Sequence, residues 1–159
     1  MNKKRKIIIA VVCVLAVAVI AVCVGVGYYY TRPERTAQKV LTAVYTVDEA
    51  EIQKRREAID NKTFDAYIRD LCGDAVTDNC IDGMITTSPL YYGATPAKVE
   101  SIKFSPIDKA TSDTASFQYT AVFSDDSDVK ERIGHVVMKK ENGKWRVNSF
   151  ATKSVTRAD

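Results

Sequence analysis

Residues 115–123, ASFQYTAVF, set Phe117, Tyr119, Ala121 and Phe123 at every second position. Successive strand side chains point to opposite faces, so this stretch reads as a strand with one buried apolar face. Residues 129–140 carry a second strand pattern, after the polar turn Ser124-Asp125-Asp126-Ser127-Asp128, which reads as solvated. Glu141-Asn142-Gly143-Lys144 then holds an Asn-Gly pair, the signature of a type I′ hairpin. Residues 145–152 follow, with Trp145, Val147 and Ser149 alternating against Arg146, Asn148 and Phe150. Residues 98–104 precede the set as a shorter strand. Four strands joined by short turns make an antiparallel meander. The last stretch, 153–159, is expected to fray as a flexible tail.

Upstream of the strands the apolar period lengthens. Thr31-Arg32-Pro33-Glu34 is a helix start, and Ala37, Val40, Leu41 and Val44 follow at helical spacing, ending near Tyr45. Thr46-Val47-Asp48-Glu49 opens a second helix to about Ile59, whose Lys54, Arg55, Arg56 and Glu57 read as a solvated face. Thr63 is positioned to cap a third, with the stripe Phe64, Tyr67, Ile68, Leu71, Cys72 and Ala75. Asn61-Lys62-Thr63 also matches a glycosylation sequon, a short pattern that recurs by chance. Residues 78–95 read as a loop. Asp78, Asp82 and Gly83 there resemble part of a calcium loop, but Cys80 and Pro89 stand where ligands belong, so no metal site is assigned. Pro89-Leu90-Tyr91-Tyr92-Gly93 is an apolar cluster that could cover an open core end, line a pocket or meet a partner. Helices first and strands afterwards argue an α+β class, with three helices packed on one face of a four-stranded antiparallel sheet.

Residues 7–30, IIIAVVCVLAVAVIAVCVGVGYYY, carry no charge. At about 1.5 Å rise per residue a helix of this length crosses a hydrocarbon core of roughly 30 Å. Lys3, Lys4, Arg5 and Lys6 precede it, and no acid occurs before Glu34. The positive-inside rule then keeps the N-terminus in the cytoplasm and exports the rest. Tyr28, Tyr29 and Tyr30 fall where an interfacial aromatic belt belongs. Cleavage after Ala16-Val17-Ala18 is the rival reading; the length of the apolar run favours an uncleaved anchor. Lipidation at Cys23 would want a small residue where Val22 stands, so Cys13 and Cys23 read as small apolar residues of the span. The expected organisation is a basic cytoplasmic tail (1–6), a single-pass transmembrane signal-anchor (7–30), an exported α+β domain (31–152) and a tail (153–159). This places the chain in the cytoplasmic (plasma) membrane with its domain outside.

Taking the four basic residues of the tail from the 23 Lys and Arg leaves 19 against 20 acids, near −1 for the exported part. A domain without basic excess loses the main support for nucleic-acid binding. Lipid contact is expected through the one helix and the basic tail. On the exported side Cys72 and Cys80 could close a short disulfide loop; two free thiols are the alternative. Two sulfur ligands need two more for a metal, and His135 is the sole histidine, so no metal or other cofactor is expected.

Helices followed by a meander ending in NGKWRVNSF, with Trp145 and Val147 turned inward, resemble the nuclear-transport-factor-2-like (cystatin-like) cone fold over roughly residues 33–152. With a short basic tail and one span, the arrangement is also similar to small assembly proteins of bacterial conjugation and type IV secretion. It is similar too to membrane-anchored exported domains of Gram-positive bacteria. The resemblance implies a scaffold acting through self-association and protein partners. It carries no family site onto particular residues.

The leading expectation is therefore a non-enzymatic, membrane-anchored interaction domain of a secretion or cell-envelope assembly. A second is a small-ligand domain with an apolar pocket, for which Tyr67, Phe117, Tyr119, His135 and Trp145 are the candidates. A third is an acid–base enzyme using His135, to which no carboxylate can be assigned from sequence; no catalytic residue is designated.

Overall fold

A computed structural model describes residues 32–87 and 95–157. The apolar stretch 7–30, the basic residues before it and the cluster 89–93 lie outside them. Among the described residues no helix is long and apolar enough to cross a membrane.

Among the described residues the class is α+β, with four helices and one sheet. Helix α1 spans Pro33–Tyr45, α2 Glu49–Asp60, α3 Phe64–Cys72 and α4 Asp78–Thr87, with a 3-10 turn at Gly73–Ala75. Strands β1 (Val99–Pro106), β2 (Thr114–Phe123), β3 (Val129–Glu141) and β4 (Lys144–Arg157) pair in chain order, all antiparallel.

Helix α1 buries Ala37, Val40, Leu41, Val44 and Tyr45, the stripe its spacing dictates. Fully burying a Val or Leu contributes about 2 kcal/mol, so this stripe is a main tie between helices and sheet. Helix α2 starts later than the Thr46 signature suggests. Asp48 is its cap, accepting from Glu51 N at 2.7 Å, while the Thr46 hydroxyl accepts from Val99 N at 3.3 Å. Thr63 precedes α3 without a capping bond from its side chain.

Residues 78–87 are helix rather than loop. The Thr77 hydroxyl accepts from Cys80 N at 3.2 Å, a cap, and Cys80, Ile81 and Met84 bury at helical spacing. Gly83 inside the segment masks that period, but its site is open and its φ ordinary, so the helix tolerates it. Cys72 and Cys80 are both buried free thiols, the alternative to a disulfide. Burial pushes the thiols up to about 11 and about 12, so both remain protonated, inert core residues at neutral pH.

The inner face of β2 buries Ala115, Phe117, Tyr119, Ala121 and Phe123 against α1 and the neighbouring strands. The β3–β4 hairpin turns through Asn142 (φ 50°) and Gly143 (φ 78°), both left-handed as a type I′ turn requires. Strand β4 departs from simple alternation and extends to Arg157. Val147 pairs with Met138 but Ser149 with Val137, so Asn148 is an extra residue; Lys153 is a second, between Thr152 and Ser154. Each bulge resets which side chains point inward. Val147, Phe150 and Thr152 therefore all share the core face, and Ser149 points outward, opposite Val137. Of the stretch expected to fray, residues 154–157 are held because β3 is long enough to pair with them, and residues 158–159 lie outside the described residues.

Candidate functional site

The turn between α1 and α2 meets the start of β1 at one end of the domain. Val47 N donates to Ala97 O at 2.7 Å and Ala97 N to Val47 O at 2.8 Å, a bridge across that seam. Lys98 O accepts from Ser124 N at 2.9 Å, which draws in the β2–β3 turn. Ser127 in this turn is buried, against the expectation of a fully solvated loop, while Asp125 and Asp126 stay exposed. Around the seam lies an open cleft of about 650 Å³, walled by Ala43, Val47, Leu71, Asp48, Glu51, Lys98 and Asp126 among others.

Behind Glu51 sits a polar cluster: of the expected solvated face of α2, Lys54, Arg56 and Glu57 are exposed, but Arg55 turns inward. Arg55 is 3% exposed. Its Nη2 donates to Val44 O at 3.1 Å, satisfying a carbonyl in the last turn of α1, and its Nε donates to the Tyr67 hydroxyl at 2.7 Å. Tyr67 in turn donates to Glu51 Oε1, which lies 3.6 Å from Arg55 Nε. Burial, and then the bond to Glu51, raise the Tyr67 hydroxyl above its ordinary value, so it stays a donor. A guanidinium offers several donors in one plane, which is why one arginine reaches three groups on three helices.

None of the five residues proposed to line an apolar pocket walls this cleft, and they fall in separate parts of the fold. Phe117 and Tyr119 are core residues. The Tyr119 hydroxyl lies 2.6 Å from that of Tyr45, which is itself 3.0 Å from Thr152 Oγ1, and burial raises both phenols. Tyr67 belongs to the Arg55 cluster. Trp145 is half-buried beneath Lys140, whose Nζ lies 5.7 Å from the ring. His135 is exposed on the outer face, between Gln118 and Ala151 on the adjacent strands. Among the described residues no group of three or more His, Cys, Asp or Glu could hold a metal.

That outer face is the second feature of note, and the alternation of β2 alone does not reveal its character. The buried sheet residues all lie on the helix side. The opposite side presents four paired rows, from Ser101-Val122-Glu131-Thr156 through Lys103-Thr120-Ile133-Ser154 and Ser105-Gln118-His135-Ala151 to Ser116-Val137-Ser149. Of these fifteen paired side chains only Lys103 and Glu131 carry a full charge, in a chain that is 27% charged; the bulge residues Glu100, Lys130 and Lys153, which fall between the rows, are charged as well. The next row, Thr114-Lys139-Arg146, is charged and bounds the patch at the hairpin end, where Glu141 pairs with both cations. The signal is legible only once register aligns the strands, because each strand alone mixes both faces.

The membrane-interface candidates, Lys3, Lys4, Arg5, Lys6, Tyr28, Tyr29 and Tyr30, lie outside the described residues. No protein-family model, curated protein or solved structure matches this chain.

Proposed function

We propose that the chain is a membrane-anchored, extracytoplasmic interaction domain without catalytic activity, part of a secretion or cell-envelope assembly. The observation that carries this reading is the charge-poor outer face of the sheet. Interface centres are depleted of charge, whereas solvated surfaces are not. In this reading segment 7–30 is the anchor, Lys3 to Lys6 hold the N-terminus in the cytoplasm, and the domain is outside. The order of helices then meander, closing on Asn142-Gly143, supports grouping the domain with nuclear-transport-factor-2-like cones; α4 is an addition to the three-helix pattern. Crosslinking of the tagged full-length chain in its native membrane tests the reading. Discrete crosslinked protein neighbours are expected; a chain that crosslinks to nothing overturns it.

A second reading, small-ligand binding, is favoured by the cleft beside Glu51. Its volume of about 650 Å³ suits a small molecule. Its walls are mixed, with Leu71 and Val47 beside Asp48, Glu51 and Lys98, unlike the aromatic pocket expected from sequence. A thermal-shift screen against a metabolite library tests it. Compounds that raise the melting temperature of the wild type, but not of Ala43→Trp, would support it; a screen without such compounds would sink it.

A further inference from the structure

We infer that Arg132 holds the carboxylate of a small apolar organic acid, where the inner face of the sheet runs out from under the last turn of α1. Arg132 pairs with Ala121 on β2 and with Val155 on β4, so the three side chains share the helix side of the sheet. Ala121 is fully buried, whereas Val155 is 43% exposed, one of two large apolar side chains open to solvent among the described residues. The cover of the sheet stops between them, and Arg132 stands half-buried at that boundary. Its guanidinium lies over the rings of Tyr45 and Phe123, 5.1 and 5.8 Å from their centroids. Both rings are buried, and Tyr45 meets Phe150 edge-on at 6.2 Å, so the cation rests on an aromatic floor.

Ring faces attract a cation but do not replace an anion. Among the described residues no carboxylate pairs with Arg132, and its Nε is buried without an acceptor. Other cations nearby on β3 and β4 are better served. Lys130 has Asp125 at 3.8 Å, and Arg146, whose Nε is also buried, has Glu141 at 3.7 Å. A desolvated guanidinium without an anion is costly, and a bound anion offsets that cost. The chemistry of the surroundings selects the anion. With Nε turned into the protein, a ligand meets the fork at its two Nη atoms, which match the two oxygens of one carboxylate. A phosphate brings more charge and more oxygens than a single arginine among rings can satisfy. Val155 and the rings suit an apolar body beside the carboxylate. Strand β4 carries Lys144, Arg146, Lys153 and Arg157 and no acid, so the local field favours a negative ligand. Neither Arg132 nor Val155 walls the cleft beside Glu51 or lies on the outer face, so the site goes beyond both readings above.

The test titrates benzoate, its uncharged equivalent benzamide, and inorganic phosphate against the full chain in non-ionic detergent, with thermal unfolding as the readout. Benzoate is expected to raise the melting temperature saturably, and benzamide and phosphate to leave it unchanged. Arg132→Lys keeps the charge but loses the fork, and is expected to weaken the apparent affinity at least about tenfold. Arg69→Ala, which removes an exposed arginine elsewhere, is expected to keep the response. Val155→Glu sets a carboxylate directly across from Arg132 at an exposed position. It is expected to raise the ligand-free melting temperature and to abolish the benzoate response, because the protein then supplies the anion itself. That variant decides the matter even if Arg132→Lys fails to fold. A wild type that ignores benzoate, a response shared by benzamide or phosphate, or a Val155→Glu variant that responds like the wild type overturns the proposal.

Discussion

Gly134 stands directly across the β2–β3 pair from Tyr119, and a β-carbon at Gly134 would collide with both the tyrosine hydroxyl and Ala151 O. The tyrosine lies flat over the space where β3 lacks a side chain, and from there its hydroxyl reaches that of Tyr45 on α1. One glycine thus decides how closely the end of α1 approaches the sheet. Gly134→Ala is expected to cost about 3 kcal/mol or more, because one of the colliding groups is backbone and cannot rotate away. Tyr119→Phe should not rescue it, since the ring carbon Cζ is also 2.5 Å from the new atom. Urea denaturation of the single and double variants measures both statements.

Arg55 gives a different kind of sensitivity. Arg55→Met removes the donor to Val44 O and leaves the Glu51–Tyr67 pair without its cation. A loss of about 2–3 kcal/mol is expected, since the remaining groups are partly buried. Arg69 also makes two ion pairs, with Asp65 and Asp78, but it is exposed. Arg69→Ala should leave the denaturation midpoint within error. A result in which the two variants behave alike would show that the buried cluster is no stronger than a surface pair.

Alkaline pH should weaken the fold through the thiols. Burial raises Cys72 from 9.0 to about 11 and Cys80 to about 12. Between pH 9 and those values the unfolded chain has released protons that the folded chain still holds. Stability is therefore full below pH 9 and falls as pH rises toward 11–12. The raised phenols of Tyr45, Tyr67 and Tyr119 add the same sign above pH 10. The denaturation midpoint is expected to drop steadily from about pH 9 upward, and Cys72→Ala/Cys80→Ala should flatten the first part of that slope. A midpoint independent of pH up to 10.5 would contradict the buried free-thiol state.

Gly143 isolates backbone strain from crowding. It has φ 78°, and nothing lies within 4 Å of where a β-carbon would stand. Gly143→Ala should therefore cost about 1 kcal/mol, from conformation alone. A differential scanning calorimetry shift as large as that of Gly134→Ala would show that the turn tolerates no side chain for some further reason.

The parts of the fold that are legible in the sequence are those where one local period dominates. The stripe of α1, the alternation of β2 and the Asn142-Gly143 turn each follow from spacing alone, and the structure has them within a residue or two. Helix α4 is obscured because Gly83 interrupts its period and its cap, Thr77, is a common residue. Arg55 reads as solvated in sequence because only the fold brings Val44 O and Tyr67 to it. The two extra residues of β4 leave no local mark either: Asn148 and Lys153 are ordinary strand residues until a partner strand counts them. The candidate sites are the least legible. The outer face exists only as an alignment of four strands, and the cleft is assembled from segments as distant as Thr42 and Ser127.

The bulge at Asn148 also gives β4 one residue more than its pairing consumes. Removing Asn148 would let Val147 and Ser149 close up with the residues beyond them still facing as before, whereas removing Phe150 would close the bulge by drawing Ser149 into the core place of the ring. The spare residue serves a neighbour instead: its carbonyl accepts from Asn79 Nδ2 at 2.9 Å and its side chain from the Thr77 hydroxyl at 3.2 Å. Strand β4 thus spends a surplus residue as a latch for the start of α4, beside the bond from Thr77 N to Val147 O at 3.0 Å, and a shortened strand would keep its sheet while loosening that helix start.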